Sequence, residues 1–439
     1  NYIMSGSESP EAEGEDCNAP SEEIIQLGRF MKHQKNWRND TKLSVKNFPV
    51  TGRGLISQRD IPMDSEIIDL PFDALISLKT ISDDGEFMVI LAQVTGEMRW
   101  KVQTLLTLYL FWNWHLGDKS PWKEYLRSLP LHLSHPHFCT VDELMAMPVV
   151  SERIIDSVNQ SEVKEVQKYF ENVSCPCCGV KFFPDLFPKR KFIEFYLICN
   201  SRTVYVPPDT VRLMLRGTRI LRMISNDPNM ALAPFLDLFN HSGDTKTMCS
   251  LARKGTEYFY TLKTSSSFKR GQQIFINYGP HCNMKLLIEY GFFLPGNYNE
   301  FIDVTLKDVE DLAKNLRRTH KNLHIPSNKF RYIRDHNLQD KMFFDADGFS
   351  HNLSTVLHFL FVDGNVFENH YHPVVFGQLP EEQNLTQYKG QLINLLLERY
   401  NDSLRNLQKL ERLSDSGRIV KDFLKCRISF MNDCLNKMN

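Results

Sequence analysis

The sequence predicts an α+β protein in which a β-rich domain is interrupted by a helical insert and followed by an all-helical C-terminal lobe. Short runs rich in Ile and Leu and bounded by Pro and Asp are typical of strands, and they occur at Ser65–Leu70 and Ala74–Ser77. Strand patterns return at Glu257–Thr264 and Gln273–Tyr278. Helical patterns fill residues 86–115, 142–172 and 185–199, and the chain is helical in pattern from about residue 306 onward.

The length of the chain sets the expected number of folding units. A chain of 439 residues is too long for one ordinary core, so two or three units are expected. Residues 1–22 are acidic and rich in Ser, Glu, Gly and Pro, which predicts a disordered tail. Residues 23–305 are predicted to form the β-rich domain, with its insert at about 85–200, and residues 306–439 the helical lobe.

The composition is that of an ordinary globular protein, with 42% hydrophobic and 24% charged residues. A formal net charge of -1 provides no global field for nucleic acid or membranes, so we expect neither partner. We also expect a monomeric chain. No apolar run reaches the ~20 residues of a membrane span. Ten cysteines without framework spacing indicate reduced thiols and an intracellular location, in cytoplasm and nucleus.

Four short elements carry the chemical signal of the sequence. In chain order they are Gly52-Arg53-Gly54-Leu55, Asn200-Ser201-Arg202, Asn240-His241-Ser242 and Tyr278-Gly279, the last followed by Glu289-Tyr290-Gly291-Phe292. Each alone is a weak signal, because a Gly-x-Gly is usually only a turn. The order and spacing of the four elements together are a more specific signal than any one of them. Ile274, Ile276 and Tyr278 alternate on one face, which predicts that Tyr278 ends a half-buried strand.

These motifs resemble those of the SET-domain protein methyltransferases, most clearly in Phe235–Ser242 and Ile274–Pro280. The helical insert, the helical lobe and the segment Ser120–Leu126 resemble the subclass typified by the Rubisco large-subunit methyltransferase. The resemblance covers roughly residues 25–305 and implies a SET fold with a pseudoknot, which is an exception to unknotted connections. It also implies a protein-lysine N-methyltransferase that uses S-adenosylmethionine and acts on a histone or another lysine-bearing protein, docked by the C-terminal lobe.

The resemblance assigns roles to individual residues. The implied catalytic residues are Tyr278 and Tyr290, whose rings would exclude water and whose hydroxyls would orient the methyl group and the amine. The implied cofactor-binding residues are Thr51, Gly52, Arg53, Gly54, Arg202, Asn240, His241 and Tyr278. The implied substrate-channel residues are Val204, Asp237, Tyr290 and Phe292. A guanidinium is the natural bidentate match for a carboxylate, so Arg202 is expected to contact the carboxylate of the cofactor.

Two alternative functions remain open on the sequence. Histidine methyltransferases of the same subclass carry a polar residue two positions after the cofactor arginine, where this chain has Val204, which favours lysine. A catalytically silent SET fold used as a binding module is the other alternative, and the intact Tyr278, Arg202 and Asn240 argue against it. The stretch Cys249–Leu251 lacks an aromatic residue that related members carry, which implies a wider channel.

Two polar clusters are interpreted without a ligand. Cys175-Pro176-Cys177-Cys178 has no second cysteine pair at a regular interval, so the sequence predicts free thiols and no metal. His132, His135 and His137 share one loop with Pro136 and no carboxylate pattern, which predicts a surface loop.

Overall fold

The computed structural model describes residues 21–94, 98–130, 133–181, 189–319, 325, 327–361 and 383–438. The chain divides into two compact units, Asn1–Leu133 with Val158–Pro280 and Ser134–Ser157 with His281–Asn439. This division differs from the predicted boundary at residue 305, and it gives part of the predicted insert to the second unit. The predicted tail at residues 1–22 lies outside the described residues, apart from Ser21 and Glu22.

Helices make up most of the regular structure. They are α1 (Glu22–His33), α2 (Leu78–Asp83), α3 (Gly85–Gln93), α4 (Val102–Leu116), α5 (Lys123–Ser128), α6 (Val141–Ala146), α7 (Pro148–Asp156), α8 (Gln160–Phe170), α9 (Lys189–Arg202), α10 (Pro208–Met214), α11 (Asn283–Tyr290), α12 (Leu306–Thr319), α13 (Ser327–Asp335), α14 (His351–Phe361), α15 (Gln383–Gln408) and α16 (Asp415–Met438). None of these described helices is both long and apolar enough to span a bilayer.

The strands are short and form four small sheets. They are β1 (Leu43–Phe48), β2 (Gly52–Ser57), β3 (Ser65–Pro71), β4 (Thr203–Tyr205), β5 (Met230–Leu232), β6 (Asn240–His241), β7 (Thr247–Lys254), β8 (Glu257–Thr264), β9 (Gln273–Ile276), β10 (Phe301–Asp303), β11 (Phe343–Asp345) and β12 (Gly348–Phe349). The sheet orders are β1-β2-β9-β6, β3-β8-β7, β4-β5 and β10-β11-β12.

The four-stranded sheet brings distant motifs of the first unit together. β9 pairs antiparallel with β2, with Leu55 opposite Ile274, and parallel with β6, with Asn240 opposite Phe275. β9 therefore lies between β2 and β6, which both precede it in the chain. The implied pseudoknot requires a non-sequential strand order of this kind. The strand ends at Ile276, so Tyr278 lies two residues beyond it and the prediction that Tyr278 ends the strand is wrong by that margin.

The predicted strand at Ala74–Ser77 is also wrong. The segment contains the end of a 3-10 turn, Phe72–Ala74, and a single bridge from Ile76 to Leu232. Ser77 instead caps α2, since its side chain accepts a hydrogen bond from the backbone N–H of Lys79 at 3.2 Å. The local capping hydrogen bond stops the chain from continuing as a strand.

Helix α4 is the centre of the core of the first unit. Its side chains are mostly apolar and are buried on all faces over most of its length, and Tyr109, Phe111 and Trp112 are each at most 2% exposed. α4 packs against α9, with the rings of Phe111 and Phe195 6.4 Å apart. Because α9 ends at Arg202, the core of the insert fixes the position of a predicted site residue.

The second unit is largely helical and has a core of its own. The core includes Leu392 and Ile393 of α15 and Val420 and Phe423 of α16. The predicted helical lobe is confirmed, with the addition of the short strands β11 and β12. The α+β class is likewise confirmed by the small sheets and the helical regions together.

Residues 134–157 join the second unit through buried polar contacts. The carboxylate of Glu143 accepts hydrogen bonds from the backbone N–H and the hydroxyl of Ser414, at 2.6 and 2.8 Å. His135 is 2% exposed and its Nε2 contacts the carbonyl of Ile288 at 2.8 Å, so the surface-loop prediction is wrong for this histidine. His132 lies outside the described residues.

The structure places a histidine beside the cysteine turn, which the sequence did not indicate. The sequence shows no second cysteine pair near Cys175–Cys178, but the fold brings the imidazole of His115, in the last turn of α4, to that turn. Because His115 lies 60 residues before Cys175, no regular spacing in the sequence marks it as a possible metal ligand.

Candidate active site

The predicted cofactor loop is the tight turn between β1 and β2. Gly52 has φ +65, a backbone conformation that side chains with a Cβ rarely adopt, so the turn requires glycine there. The Asn240 amide donates to the carbonyl of Arg53 at 2.9 Å and to that of Thr51 at 3.4 Å. Gln273 of β9 hydrogen-bonds the hydroxyl of Thr51, with 2.9 Å between Nε2 and Oγ1. Two distant strands thus hold the turn in place.

Gly54 is required for a different reason from Gly52. A Cβ at this position would lie 2.5 Å from Nε2 of Gln273 and 2.8 Å from Nδ2 of Asn240. The glycine therefore makes room for the two side chains that hold the loop. In this fold its role is close packing within the site, and its predicted contact with the cofactor stays a prediction.

Arg202, Asp237 and Tyr125 form a buried polar cluster next to this loop. Nη1 of Arg202 donates to the carboxylate of Asp237 at 3.2 Å and to its backbone carbonyl at 3.1 Å. The Tyr125 hydroxyl donates to the same carboxylate at 2.9 Å. The Asp237 side chain is only 2% exposed, so it orients the arginine and is not an open channel wall.

Two cationic side chains meet at this cluster. Burial lowers the pKa of Arg53, and the positive charge of Arg202 lowers it further, against the opposing effects of Asp237 and Glu23. Burial also lowers the pKa of Arg202, but the charge of Asp237 and the neighbouring Tyr125 and Tyr278 raise it by more, so this guanidinium stays charged. The guanidinium groups of Arg53 and Arg202 thus both interact with the carboxylate of Asp237, and Glu23 is a second carboxylate that acts on Arg53.

Tyr278 is held in one orientation by three contacts. Its hydroxyl donates to the carbonyl of Phe239 at 2.5 Å, and its backbone N–H donates to Nδ1 of His241 at 3.1 Å. The Tyr278 and His241 rings stack with centroids 5.0 Å apart. The orientation of the phenol therefore comes from the Asn-His-Ser motif, which is more than thirty residues earlier.

The remaining predicted channel residues lie in two places. Val204 is half-buried on β4, opposite Ala231 of β5 in the first unit. Tyr290 and Phe292 belong to the second unit, where their rings are 6.1 Å apart and Gly291 between them ends α11 with φ +78. Burial, together with the charge of Glu289, raises the pKa of Tyr290 and keeps its hydroxyl protonated. The roles of all three stay predictions.

Sequence reasoning missed Tyr125 and Gln273 as site residues. Tyr125 lies within the segment Ser120–Leu126, which marked the subclass but received no role. Gln273 is the first residue of β9 and carried no local signal, because its partner Thr51 is 222 positions away. Only the pairing of β2 with β9 shows the contact.

Known proteins with SET domains are similar in sequence to this chain. No protein-family model matches the chain. The mouse protein SET domain-containing protein 4 is 29% identical over 371 residues, covering 82% of this chain and 77% of its own length. The protein of the same name from Artemia parthenogenetica is 27% identical over 427 residues, covering 94% and 95%. The motifs that predict likeness to SET domain-containing protein 4 are Gly52–Leu55, Asn200–Tyr205, Ala231–Ser242 and Tyr278–Phe292.

Solved structures of the Rubisco large-subunit methyltransferase share the fold. The SET domain of this enzyme with lysine and S-adenosylhomocysteine superposes with a TM-score of 0.59 at 16% identity, covering 95% of this chain and 92% of the other. The chain has the SET fold of these methyltransferase structures. In this fold the glycine turn, the Asn-His-Ser motif and Tyr278 lie together in the first unit, while their catalytic and cofactor-binding roles stay predictions.

Proposed function

We propose that this SET-domain protein is an S-adenosylmethionine-dependent protein-lysine N-methyltransferase. The observation that carries the proposal is the convergence of the buried Arg202–Asp237 pair with the oriented hydroxyl of Tyr278. Relatives support the reaction class. The ribosomal lysine N-methyltransferase set11 of Schizosaccharomyces pombe is 28% identical over 58% of this chain.

The residues present fit the proposed cofactor. S-adenosylmethionine carries a carboxylate, and the guanidinium groups of Arg53 and Arg202 are the cationic groups at this site that would pair with it. Gly52 and the backbone of Asn240 and His241 are the proposed contacts to the rest of the molecule. When bound, the cofactor supplies an electrophilic methyl group on a positively charged sulfur.

The residues of the chain would supply positioning and desolvation. Holding two reactants in line can lower a barrier by about 7–11 kcal/mol. A free lysine has a pKa of about 10.4, so it must lose a proton before it can act as a nucleophile. The aromatic ring of Tyr278 excludes water, and desolvation disfavours the charged ammonium form. The Tyr278 hydroxyl, fixed by the Phe239 carbonyl, would then align the amine.

The substrate is proposed to be a protein lysine, in a histone or in a non-histone protein. Val204 supports lysine over histidine, because it offers no polar group beside the cofactor arginine. We further propose that the second unit docks the substrate protein. Deleting residues from 306 would remove much of the core of that unit, including α15 and α16, so docking is better tested on the intact chain.

A methylation experiment on a cell extract tests the reaction. Extract incubated with the purified protein and labelled S-adenosylmethionine is digested, and the labelled residue is identified by mass spectrometry. We expect labelled lysine with wild type and much less with Tyr278→Phe. Labelled histidine would support the histidine alternative. Cofactor binding without any transfer would support a silent binding module.

Hydrogen exchange tests docking. Once a substrate is known, amide protection is compared with and without it, using the Tyr278→Phe variant to slow turnover. We expect protection in the second unit, on α15 or α16. Protection confined to the first unit would contradict the docking proposal while leaving the proposed reaction intact.

A further inference from the structure

A cluster of one histidine and three cysteines in the first unit has no part in the proposed reaction. His115 lies in the last turn of α4, and Cys175, Cys177 and Cys178 lie in the turn between α8 and α9. The imidazole nitrogen and the three sulfur atoms all lie within 4.8 Å of one another. We propose that these four residues bind one structural zinc ion.

The distances suit a tetrahedral site. Bond lengths of about 2.3 Å to sulfur and about 2.0–2.1 Å to nitrogen give edges of about 3.5 Å between nitrogen and sulfur and about 3.8 Å between two sulfurs. Nε2 of His115 is 3.2, 3.4 and 3.6 Å from the sulfurs of Cys177, Cys175 and Cys178. The sulfurs of Cys175 and Cys177 are 3.0 Å apart, and rotation of the exposed Cys177 side chain would open this edge.

The backbone hydrogen bonds of the turn at residues 174–181 hold the cysteine sulfur atoms close together. Gly179 has φ +71 and donates its N–H to the carbonyl of Cys175 at 2.8 Å, while the N–H of Cys175 donates to the carbonyl of Val180 at 2.9 Å. The strand-like bridge from Ser174 to Lys181 closes the turn. This conformation makes the Cys-x2-Cys pair, Cys175 and Cys178, a compact knuckle of the kind that holds structural zinc.

A second contact anchors the turn to α3. The side chain of Gln93 donates to the carbonyl of Ser174 at 2.9 Å and accepts from its N–H at 3.0 Å. α4, which carries His115, is the most buried helix of the insert core. Both halves of the site are therefore attached to ordered structure, so little conformational freedom remains to be lost when the ion binds.

The donor set indicates zinc and a structural role. Three thiolates and one imidazole complete a tetrahedron with no position left for water, as in closed Cys3His sites. Hard cations such as Mg²⁺ and Ca²⁺ prefer oxygen ligands, which this cluster does not offer. The ion would join the end of α4 to the segment that leads into α9, and α9 ends at Arg202. The site would thus stabilise the insert that positions the cofactor arginine.

Metal analysis of purified protein tests the proposal. The full chain is produced in zinc-supplemented medium and purified under reducing conditions, and metal content is measured by mass spectrometry. We expect about one zinc per chain in wild type and in the control Cys249→Ser, whose exposed thiol is not one of the four. His115→Ala and Cys178→Ser should lose the zinc, whereas His115→Cys, which keeps four ligands, should retain it.

Two measurements on wild type keep the test decisive if the variants fold poorly. Replacement by Co²⁺ should give the intense near-ultraviolet bands of thiolate coordination, and a strong chelator should lower the Tm. Wild type without zinc would overturn the proposal. So would zinc retained by both His115→Ala and Cys178→Ser, or a Co²⁺ spectrum without thiolate bands.

Discussion

Replacing Tyr278 with Phe removes one oxygen atom from the site and leaves the ring. The hydroxyl makes a 2.5 Å hydrogen bond to the carbonyl of Phe239, while the stacking on His241 and the backbone hydrogen bond to it do not involve the hydroxyl. The ring should therefore keep its place. The free energy of unfolding should fall by about 1 kcal/mol, or by up to about 3 kcal/mol if the carbonyl is left without a partner.

The effect on turnover should be much larger. A preorganised polar group that acts in the transition state contributes about 10²–10³ in turnover, which corresponds to about 3–4 kcal/mol. A stability loss of about 1–3 kcal/mol out of a typical 5–15 kcal/mol leaves nearly all molecules folded. Unfolding cannot then account for the lost activity. Cofactor affinity should change little, because the guanidinium groups of Arg53 and Arg202 remain.

Three measurements on the same preparations separate these effects. Calorimetry with S-adenosylmethionine gives cofactor affinity, transfer of labelled methyl groups gives turnover, and urea unfolding gives stability. Tyr205→Phe is the matched control, because Tyr205 is 58% exposed on β4. If Tyr278→Phe transfers methyl groups at the wild-type rate and to the same degree, the assignment of this tyrosine fails. Tyr290 then becomes the next candidate.

Two further variants and one change of pH test other parts of the structure. Gly54→Ala should weaken cofactor binding and cost about 1–3 kcal/mol of stability, because the new methyl displaces Asn240 from the loop, as calorimetry and unfolding will measure. His135 has a pKa lowered by burial from 6.5 to about 4, so the unfolded chain binds the extra proton and stability should fall by up to about 3 kcal/mol as pH drops from 6.5 to 4. Arg427→Met should cost about 3–5 kcal/mol in urea unfolding, because it leaves the carboxylate of Glu300 buried and unpaired.

Each of these three tests has its own control. Gly85→Ala adds a methyl where no atom lies within 4 Å, so it should behave as wild type, and equal effects at both glycines would contradict the packing argument. His135→Gln should flatten the acid limb of the stability curve, and an unchanged limb would mean that another group titrates there. Adding Glu300→Gln to Arg427→Met should restore most of the lost stability. A double variant as unstable as the single one would show that the buried charge is not the cause.

Much of the secondary structure could be predicted from patterns among residues that are close in sequence. The apolar residues of α4 lie within one short segment of the sequence, and Ile274 and Ile276 alternate as in a strand. Local sequence patterns therefore predict both elements. The motif order also led to the SET fold, which the shared architecture with the Rubisco enzyme confirms. Boundaries were less certain, since Tyr278 falls beyond the strand and the second unit includes residues 134–157.

The sequence by itself indicated most of the helices and strands and the motif residues to be expected at the site. Only the tertiary structure decided what each residue touches: Gly54 makes room for Asn240, Asp237 orients Arg202, and His115 reaches the cysteine turn. The physical reason is distance along the chain. Periodicity and turn chemistry act between near neighbours, whereas hydrogen bonds, ion pairs and metal ligation depend on separation in space, which is set by the packing of the whole core.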